Sequence, residues 1–200
     1  LAKYDEAVRL HSSLPASHHS RAMTLIPAGD VERGWPEYEW RWRMPNALPR
    51  NWKQPQWDGS ALDGKRILLH REQGLGDTLQ FIRYAPLVQQ KGGKVLILAP
   101  KQWIPILSSC AGLDSQQVEF CDEAEPLPDF DVFAALLTLP GLFKRNLSSI
   151  PADVPYLSVP ESLVEKWKKS IDDGAWLRVG IAWQGNPNFA GDRLRSFPLE

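Results

Sequence analysis

The sequence predicts an α/β fold, in which an open parallel sheet with intervening helices follows a short helical segment. Two short apolar runs, RILLH and KVLILA, alternate with helical patterns after residue 65, as in βαβ units. The second run has the continuous apolar character of a strand covered on both faces. Helical periodicity instead dominates residues 1–43. We therefore expect a helical segment at 1–43, a connector at 44–64 and a sheet domain from residue 65.

The same patterns place the individual elements of the sheet domain. Strands are expected at 66–70, 94–99, 117–121 and 131–137. Helices are expected at 78–90, 102–109 and 162–173, with Pro86 loosening the last turns of the first of these. A further buried strand, LRVGIAW, is predicted at 177–183. It leads into a polar loop.

The first 43 residues predict three helices, the third of which starts at Val31 or Trp35 and runs to Trp42. Pro36 suits the first turn of that helix, where no N–H is required. The phrases YDEA, LP and GD resemble the tail of a tetratricopeptide repeat array. A plain helical hairpin packed on the next domain is the alternative.

His18 and His19 are adjacent, point apart on a helix and have no third ligand nearby, which argues against a metal site.

Composition narrows the classes of partner. Hydrophobic residues make up 43% of the 200 residues, charged residues 24%, and the net charge is −1. This balance gives no electrostatic reason to expect nucleic acid or an anionic membrane surface. No apolar run approaches the roughly 18–20 residues that span a bilayer.

The two cysteines, Cys110 and Cys121, match no zinc pattern and predict free thiols in a reducing compartment, the cytoplasm.

Tryptophan is concentrated in one region, since five of the nine lie between Trp35 and Trp57. Large aromatic rings bury much area per residue, so the cluster can attach the helical segment and the connector to the sheet domain. A platform on which sugar rings stack is the alternative interpretation.

The stretch RILLHREQGLGDTLQFIRYAPL, residues 66–87, carries most of the functional argument. A strand leads into a loop with Gly74 and Gly76 and then into a helix that begins near Asp77. A dinucleotide site is excluded, because Leu79 stands where the third glycine belongs and the second strand ends without an acid. A P-loop is excluded because no Gly-Lys-Ser/Thr follows.

Asp77 has two interpretations. It can cap the orphan N–H groups at the start of the helix. Alternatively, it lies at the carboxyl end of the first strand, where open α/β sheets bind ligands, and acts as a general base on an acceptor hydroxyl. The same turn holds His70, Arg71, Glu72 and Gln73, and we take His70, Glu72, Gln73, Gly74 and Gly76 as candidate substrate-binding residues.

Several motifs in one order resemble bacterial proteins in which tetratricopeptide repeats precede a glycosyltransferase region. They are GWPEYEWRW, WDGSALDGK, HREQGLGDTLQFIRYAPL, PADVPYL and RVGIAWQGNP with DRLRSFPL. That region is similar to the heptosyltransferases of glycosyltransferase family nine, which have the GT-B fold.

The resemblance implies a Rossmann-like acceptor domain at 65–176, and the first strand and loop of a nucleotide-sugar-binding domain at 177–200. It makes Asp77 the catalytic base. It also assigns Asn186, Arg193 and Arg195 to the diphosphate of the donor, although a solvated surface loop is the other interpretation of the two arginines. It implies no bound metal or cofactor, only a nucleotide-sugar as donor substrate.

The acceptor stays open among glycan, lipid and protein, and the helical segment can also bind a protein partner. We expect the chain to continue beyond Glu200, and the 200-residue piece to be inactive alone. The alternative to a transferase is a non-catalytic scaffold, built from repeats and a degenerate Rossmann-like domain, that binds a protein.

Overall fold

The computed structural model describes residues 1–47, 50–171, 174, 177, 179–186 and 191–197. The chain divides into two compact units, Leu1–Val159 and Pro160–Glu200. The first unit holds the helical segment, the connector and the sheet. The two units are described separately below.

Three helices open the first unit, as the sequence predicts: α1 (Ala2–Leu10), α2 (Pro15–Leu25) and α3 (Val31–Tyr38). A 3-10 helix, Glu39–Arg43, continues α3. The prediction that Pro36 lies in a first turn is wrong. Asp30 occupies the N-cap and accepts a hydrogen bond from Arg33 N at 3.4 Å. This cap sets the start of α3 at Val31 and places Pro36 in the interior. Proline cannot donate to a carbonyl one turn back, and α3 ends two residues later.

The sheet has four parallel strands in the order β3-β2-β1-β4. They are β1 (Arg66–His70), β2 (Lys94–Ala99), β3 (Val118–Asp122) and β4 (Val132–Ala135), which confirms the four strands predicted within the sheet domain. Ile67, Leu68 and Leu69 of the central β1 are fully buried. Side chains alternate between the two faces of a strand, so this burial means that both faces of β1 are covered.

The helix predicted at 78–90 is instead three pieces. Helix α4 (Leu75–Phe81) is followed by a 3-10 helix, Ile82–Tyr84, and then by α5 (Ala85–Gln89). Pro86 occupies the first turn of α5, so the break in the helix precedes the proline. Helices α6 (Ile104–Leu107) and α7 (Leu139–Leu142) follow β2 and β4.

The connector runs beside β4. Trp57 N donates to Phe133 O at 2.8 Å, and Phe133 N donates to Pro55 O at 3.2 Å. Trp57 is buried and its ring lies 5.9 Å from that of Phe143. Trp35 packs edge-on against Phe81 at 5.8 Å. The tryptophans at 35 and 57 therefore attach the helical segment and connector to the sheet, as the packing interpretation predicts.

The second unit contains α8 (Glu161–Ile171) and a 3-10 helix, Asp192–Leu194. The strand predicted at 177–183 is wrong for the residues that are described there, since none of them is in a strand. Val179 is 76% exposed and Ile181 67% exposed. An apolar strand becomes buried only when neighbouring strands pair with it and helices cover it. The described part of this segment lies beside no described strand, and Phe197 N donates to Trp183 O at 3.2 Å.

The helices are too short or too polar to span a membrane in the part of the chain that the structure describes.

Gly93, just before β2, provides a test of the packing between connector and sheet. A Cβ at this position would lie 2.6 Å from Leu62 Cδ1 and 2.7 Å from Lys65 O. We expect Gly93→Ala to lower the free energy of unfolding by about 1–3 kcal/mol, because the backbone must shift. Urea denaturation measures the effect.

Gly76→Ala is the matched control, since a Cβ there meets nothing within 4 Å. It is expected to raise the free energy of unfolding by about 0.5–1 kcal/mol, because alanine is the better helix former. Equal effects of the two substitutions would contradict the packing described.

Candidate functional site

The strand order places a crevice at one edge of the sheet. From β1 the chain proceeds to β2 and β3 on one side and then returns to β4 on the other. The carboxyl ends of β1 and β4 therefore border the point where the order reverses, which is where open α/β sheets bind ligands. His70 is the last residue of β1, and its partner across the ladder is Ala135, the last residue of β4.

His70 is held at this edge by aromatic rings. It is 2% exposed, and its ring lies 5.2 Å from that of Trp52, 6.0 Å from Phe133 and 6.3 Å from Trp42. Its Nδ1 lies 3.0 Å from Arg71 O. A carbonyl oxygen only accepts, so Nδ1 carries the hydrogen and Nε2 is left as an acceptor. Burial lowers the pKa of His70 to about 4, and the charges of Arg50 and Arg41 act in the same direction.

Glu72, a predicted substrate-binding residue, is engaged by Arg41 of the helical segment. Arg41 Nε donates to Glu72 Oε1 at 2.8 Å and Nη2 to Oε2 at 3.0 Å. The same guanidinium also donates to Glu39 Oε1 at 2.6 Å and to Thr138 Oγ1 at 2.8 Å. Burial would lower the pKa of Arg41, but the charges of Glu72 and Glu39 outweigh it and raise that pKa. Glu72 thus fixes the loop after β1 to the helical segment.

Gln73 makes a second link of the same kind, because its Nε2 donates to Tyr38 Oη at 2.7 Å. Two side chains of the loop after β1 are therefore held by the end of α3 and the 3-10 helix that follows it. Arg71 turns elsewhere and donates to Glu123 Oε2 at 2.6 Å.

Asp77 is the third residue of α4, because the helix begins at Leu75 and not near Asp77 as predicted. Gly74 is the N-cap, and no side-chain hydrogen bond caps this helix, so Asp77 does not cap N–H groups as predicted. It does lie in the first turn, where its charge interacts favourably with the helix dipole. Asp77 is half-buried and makes no hydrogen bond or ion pair with any residue that the structure describes. Burial raises the pKa of Tyr38, and the nearby Asp77 charge contributes in the same direction.

Gly74 and Gly76 are not required by the fold around them. Gly74 has an extended backbone with φ −73° and Gly76 lies within α4. A Cβ at Gly76 would contact nothing within 4 Å, and one at Gly74 would reach only Asp77 Oδ2, at 3.8 Å. Glycine inside a helix also lowers stability. The two glycines therefore leave open surface beside Asp77.

Two adjoining cavities open at this edge of the sheet. The smaller has a volume of about 130 Å³ and the larger about 320 Å³. Both are lined by Trp42, Arg50 and His70. The smaller is completed by Gln56, Phe133 and Ala135, and the larger by Asn46, Arg71 and Glu72.

Sequence reasoning selected His70 and Glu72 in this lining. It considered Trp42 only as one of a cluster of tryptophans, and it missed the other residues that the helical segment and connector contribute. Trp42 and Arg50 line both cavities, and Arg41 and Tyr38 hold the loop. The available signal was the motif GWPEYEWRW, which places Tyr38, Arg41 and Trp42 together. Their approach to the loop after β1 depends on tertiary packing.

The predicted donor residues lie in the second unit. Arg195 Nε donates to the buried Asp192 Oδ1 at 3.0 Å, and Gly185 N donates to Ser196 Oγ at 2.8 Å. A Cβ at Gly185 would lie 2.9 Å from Arg195 Nε, so the loop closes tightly on this ion pair. Arg193 and Asn186 are exposed on the same loop.

No metal centre is formed by the residues described. Among them, no three His, Cys, Asp or Glu side chains come together in a group that could hold an ion. Both nitrogens of His18 are occupied, by Glu37 Oε2 at 2.7 Å and by Ser12 O at 2.8 Å.

The neutral His70 predicts a pH dependence of stability. Its pKa of about 4 in the folded chain lies below the ordinary value of about 6.5 in the unfolded chain. The stabilisation is therefore complete above pH 6.5 and is lost as the pH falls toward 4. Between pH 7 and pH 5 we expect His70 to account for a loss of about 2 kcal/mol in the free energy of unfolding.

Urea denaturation at the two pH values checks this. The His70→Gln variant should lose about 2 kcal/mol less than the unchanged protein over that interval. His11→Gln, at an exposed position, should keep the full pH dependence. Equal pH dependence in all three proteins would show that His70 is not held neutral by the fold.

Comparison with known proteins gives one similar sequence. Protein FlbA of Caulobacter vibrioides is 24% identical over 217 aligned residues, which span 98% of this chain and 36% of FlbA. The chain therefore covers little more than a third of that relative's length. No protein-family profile matches the sequence, and no solved structure matches it.

Proposed function

We propose that this chain is part of a glycosyltransferase that moves a sugar from a nucleotide-sugar to an acceptor hydroxyl. The first unit would contain the Rossmann-like acceptor domain of a GT-B enzyme, with its helices as the end of a tetratricopeptide-type array. Asp77 would be the base. The observation that carries the proposal is the half-buried Asp77 carboxylate, which follows the central strand and is neither a cap nor half of an ion pair among the described residues.

The surroundings of Asp77 support this role. A carboxylate that caps nothing contributes little to the fold beyond its interaction with the helix dipole. Gly74 and Gly76 keep the surface beside it free of side chains, which permits a substrate to approach the backbone closely. Both features stand at the carboxyl edge of a parallel sheet, the expected position of a ligand site.

The proposed chemistry is a single displacement. Asp77 accepts the proton of the acceptor hydroxyl as its oxygen bonds to the anomeric carbon of the donor sugar. The bond between that carbon and the diphosphate oxygen breaks, and the nucleoside diphosphate leaves with the electron pair. Arg193 and Arg195 would neutralise charge on the diphosphate. Arg195 would then exchange its bond with Asp192 for one with the phosphate.

The state of the thiols supports a proposal for the compartment. Cys110 and Cys121 are buried and free, and burial raises the pKa of Cys110 to about 11. Unpaired thiols favour a reducing environment, and we propose that the reaction takes place in the cytoplasm.

Replacement of Asp77 by asparagine tests the base role in the full-length protein. We expect Asp77→Asn to reduce transfer by about 10²–10⁴-fold, because a general base of this kind contributes that much. Release of nucleoside diphosphate from a panel of nucleotide-sugars is the measurement. Circular dichroism and urea denaturation confirm that the variant folds.

Asp129→Asn is the matched control, since Asp129 is exposed and precedes the amino end of β4, whereas the crevice lies at the carboxyl end. It should transfer sugar at the unchanged rate. Full activity of Asp77→Asn would remove Asp77 from the base role. If the unchanged protein transfers no sugar from any donor in the panel, the scaffold function gains support.

A further inference from the structure

The cleft between β1 and β4 has a feature that the proposed transfer chemistry does not use. Four buried side-chain atoms in the described chain have no hydrogen-bond partner: Trp42 Nε1, Arg71 Nε, Glu123 Oε1 and Arg145 Nε. Two of them belong to residues that line the cavities, and Glu123 is the partner of Arg71. Buried polar atoms are nearly always paired in native proteins. The two atoms in this lining, Trp42 Nε1 and Arg71 Nε, indicate a site whose ligand supplies partners.

His70 adds an acceptor to these donors. Only 2% of the surface of His70 is exposed, and the residue lines both cavities. Its Nδ1 is occupied by Arg71 O, while Nε2 has no partner among the described residues. A neutral imidazole nitrogen accepts a hydrogen bond from a hydroxyl group. The ligand therefore presents a hydrogen-bond donor, such as a hydroxyl, to His70.

The charges of the lining are largely balanced. Glu72 is bound at both oxygens by Arg41, and Arg71 is bound to Glu123. Arg50 lies 3.8 Å from the other oxygen of Glu123 and is 42% exposed at its side chain. An anionic ligand would compete with Glu123 for both arginines. The balance favours a neutral ligand with hydroxyl groups over a phosphate or a carboxylate.

The shape and polarity of the cavity lining narrow the chemical class of the ligand further. Trp42 and Phe133 supply flat apolar surfaces, and Arg50 with the amides of Asn46 and Gln56 supplies polar groups. A sugar ring has an apolar C–H face and an edge of hydroxyls, so it matches both. An acyl chain would leave the polar groups unpaired, at a free-energy cost. The larger cavity, about 320 Å³, is within the range of small-molecule sites.

We propose that the cleft between β1 and β4 binds a neutral carbohydrate ring, with a hydroxyl donated to His70 Nε2 and the ring against Trp42. This inference rests on the proposed function, because it makes the acceptor of the transfer a glycan. The helical segment and the connector then form part of the acceptor site, since they contribute Trp42, Asn46, Arg50 and Gln56. Arg41 is a positioning residue, which holds Glu72 at the rim of the cleft.

The test is direct binding of methyl α-D-mannopyranoside, methyl β-D-galactopyranoside and N-acetyl-D-glucosamine to the full-length protein. Saturation-transfer NMR detects the bound glycoside, and tryptophan fluorescence reports the contact with the indole. We expect at least one glycoside to bind with a millimolar Kd. His70→Asn should weaken that binding at least about tenfold, because asparagine can still donate to Arg71 O but has no acceptor at the Nε2 position.

Matched variants separate this loss from misfolding. His70→Gln places an oxygen near the Nε2 position and should retain most of the binding. Arg50→Met, at a half-exposed position, should weaken binding several-fold without loss of stability, and Trp42→Phe should remove the fluorescence response. Asp129→Asn should bind as the unchanged protein does. Inorganic phosphate and phosphatidylcholine vesicles should show no binding that depends on His70.

The proposal is overturned if no glycoside binds, if His70→Asn binds as well as His70→Gln, or if phosphate or vesicles occupy the cleft instead. The outcome is independent of the Asp77 experiment. Binding that depends on His70 together with full activity of Asp77→Asn would retain the carbohydrate site and reject the base. Transfer that requires Asp77 without such binding would retain the transferase and reject the carbohydrate site.

Discussion

The first unit depends most on the guanidinium of Arg41. It joins the helical segment to the loop after β1 through two bonds to Glu72, and to the 3-10 helix that follows β4 through Thr138. Its Cζ lies 4.5 Å from the ring centroid of Tyr38 and 4.6 Å from that of Trp42. A charge at this depth is tolerated only when it is paired and its donors are used. Removal of Arg41 would leave Glu72 buried and unpaired, whereas removal of Glu72 would leave Arg41 with Glu39 and Thr138 alone, so the two segments are fixed together.

This constraint determines the geometry of the candidate site. Glu72 and Gln73, the two residues that Arg41 and Tyr38 hold, immediately precede Gly74 and the first turn of α4. The position of Asp77 is therefore set partly by residues more than thirty positions earlier in the chain. The same anchoring places Trp42 beside His70, where the cleft between β1 and β4 opens. The helical segment thus contributes directly to the surface that a substrate meets.

The sequence predicts the sheet well, because β1, β2 and β4 are short apolar runs that the local pattern is enough to identify. It fails at Pro36, where the cap on Asp30 outweighs the preference of proline for a first turn, and at 177–183, where an apolar run has no described strand beside it. The motif around Asp77 is enough to predict that His70, Glu72 and Asp77 belong to the candidate site. It does not predict Arg41, Trp42 and Arg50, because their roles arise from contacts between distant segments.

A double-mutant cycle between Arg41 and Glu72 tests the central constraint most directly. The free energy of unfolding is measured for the unchanged protein, for Arg41→Met, for Glu72→Gln and for the double variant. We expect a coupling energy of about 2–3 kcal/mol, at the upper end for residues in one buried network. The same cycle on Arg9 and Glu6, an exposed pair, should be close to additive. Additive effects of Arg41 and Glu72 as well would contradict the account, since the loop that carries Asp77 would then be fixed by other contacts.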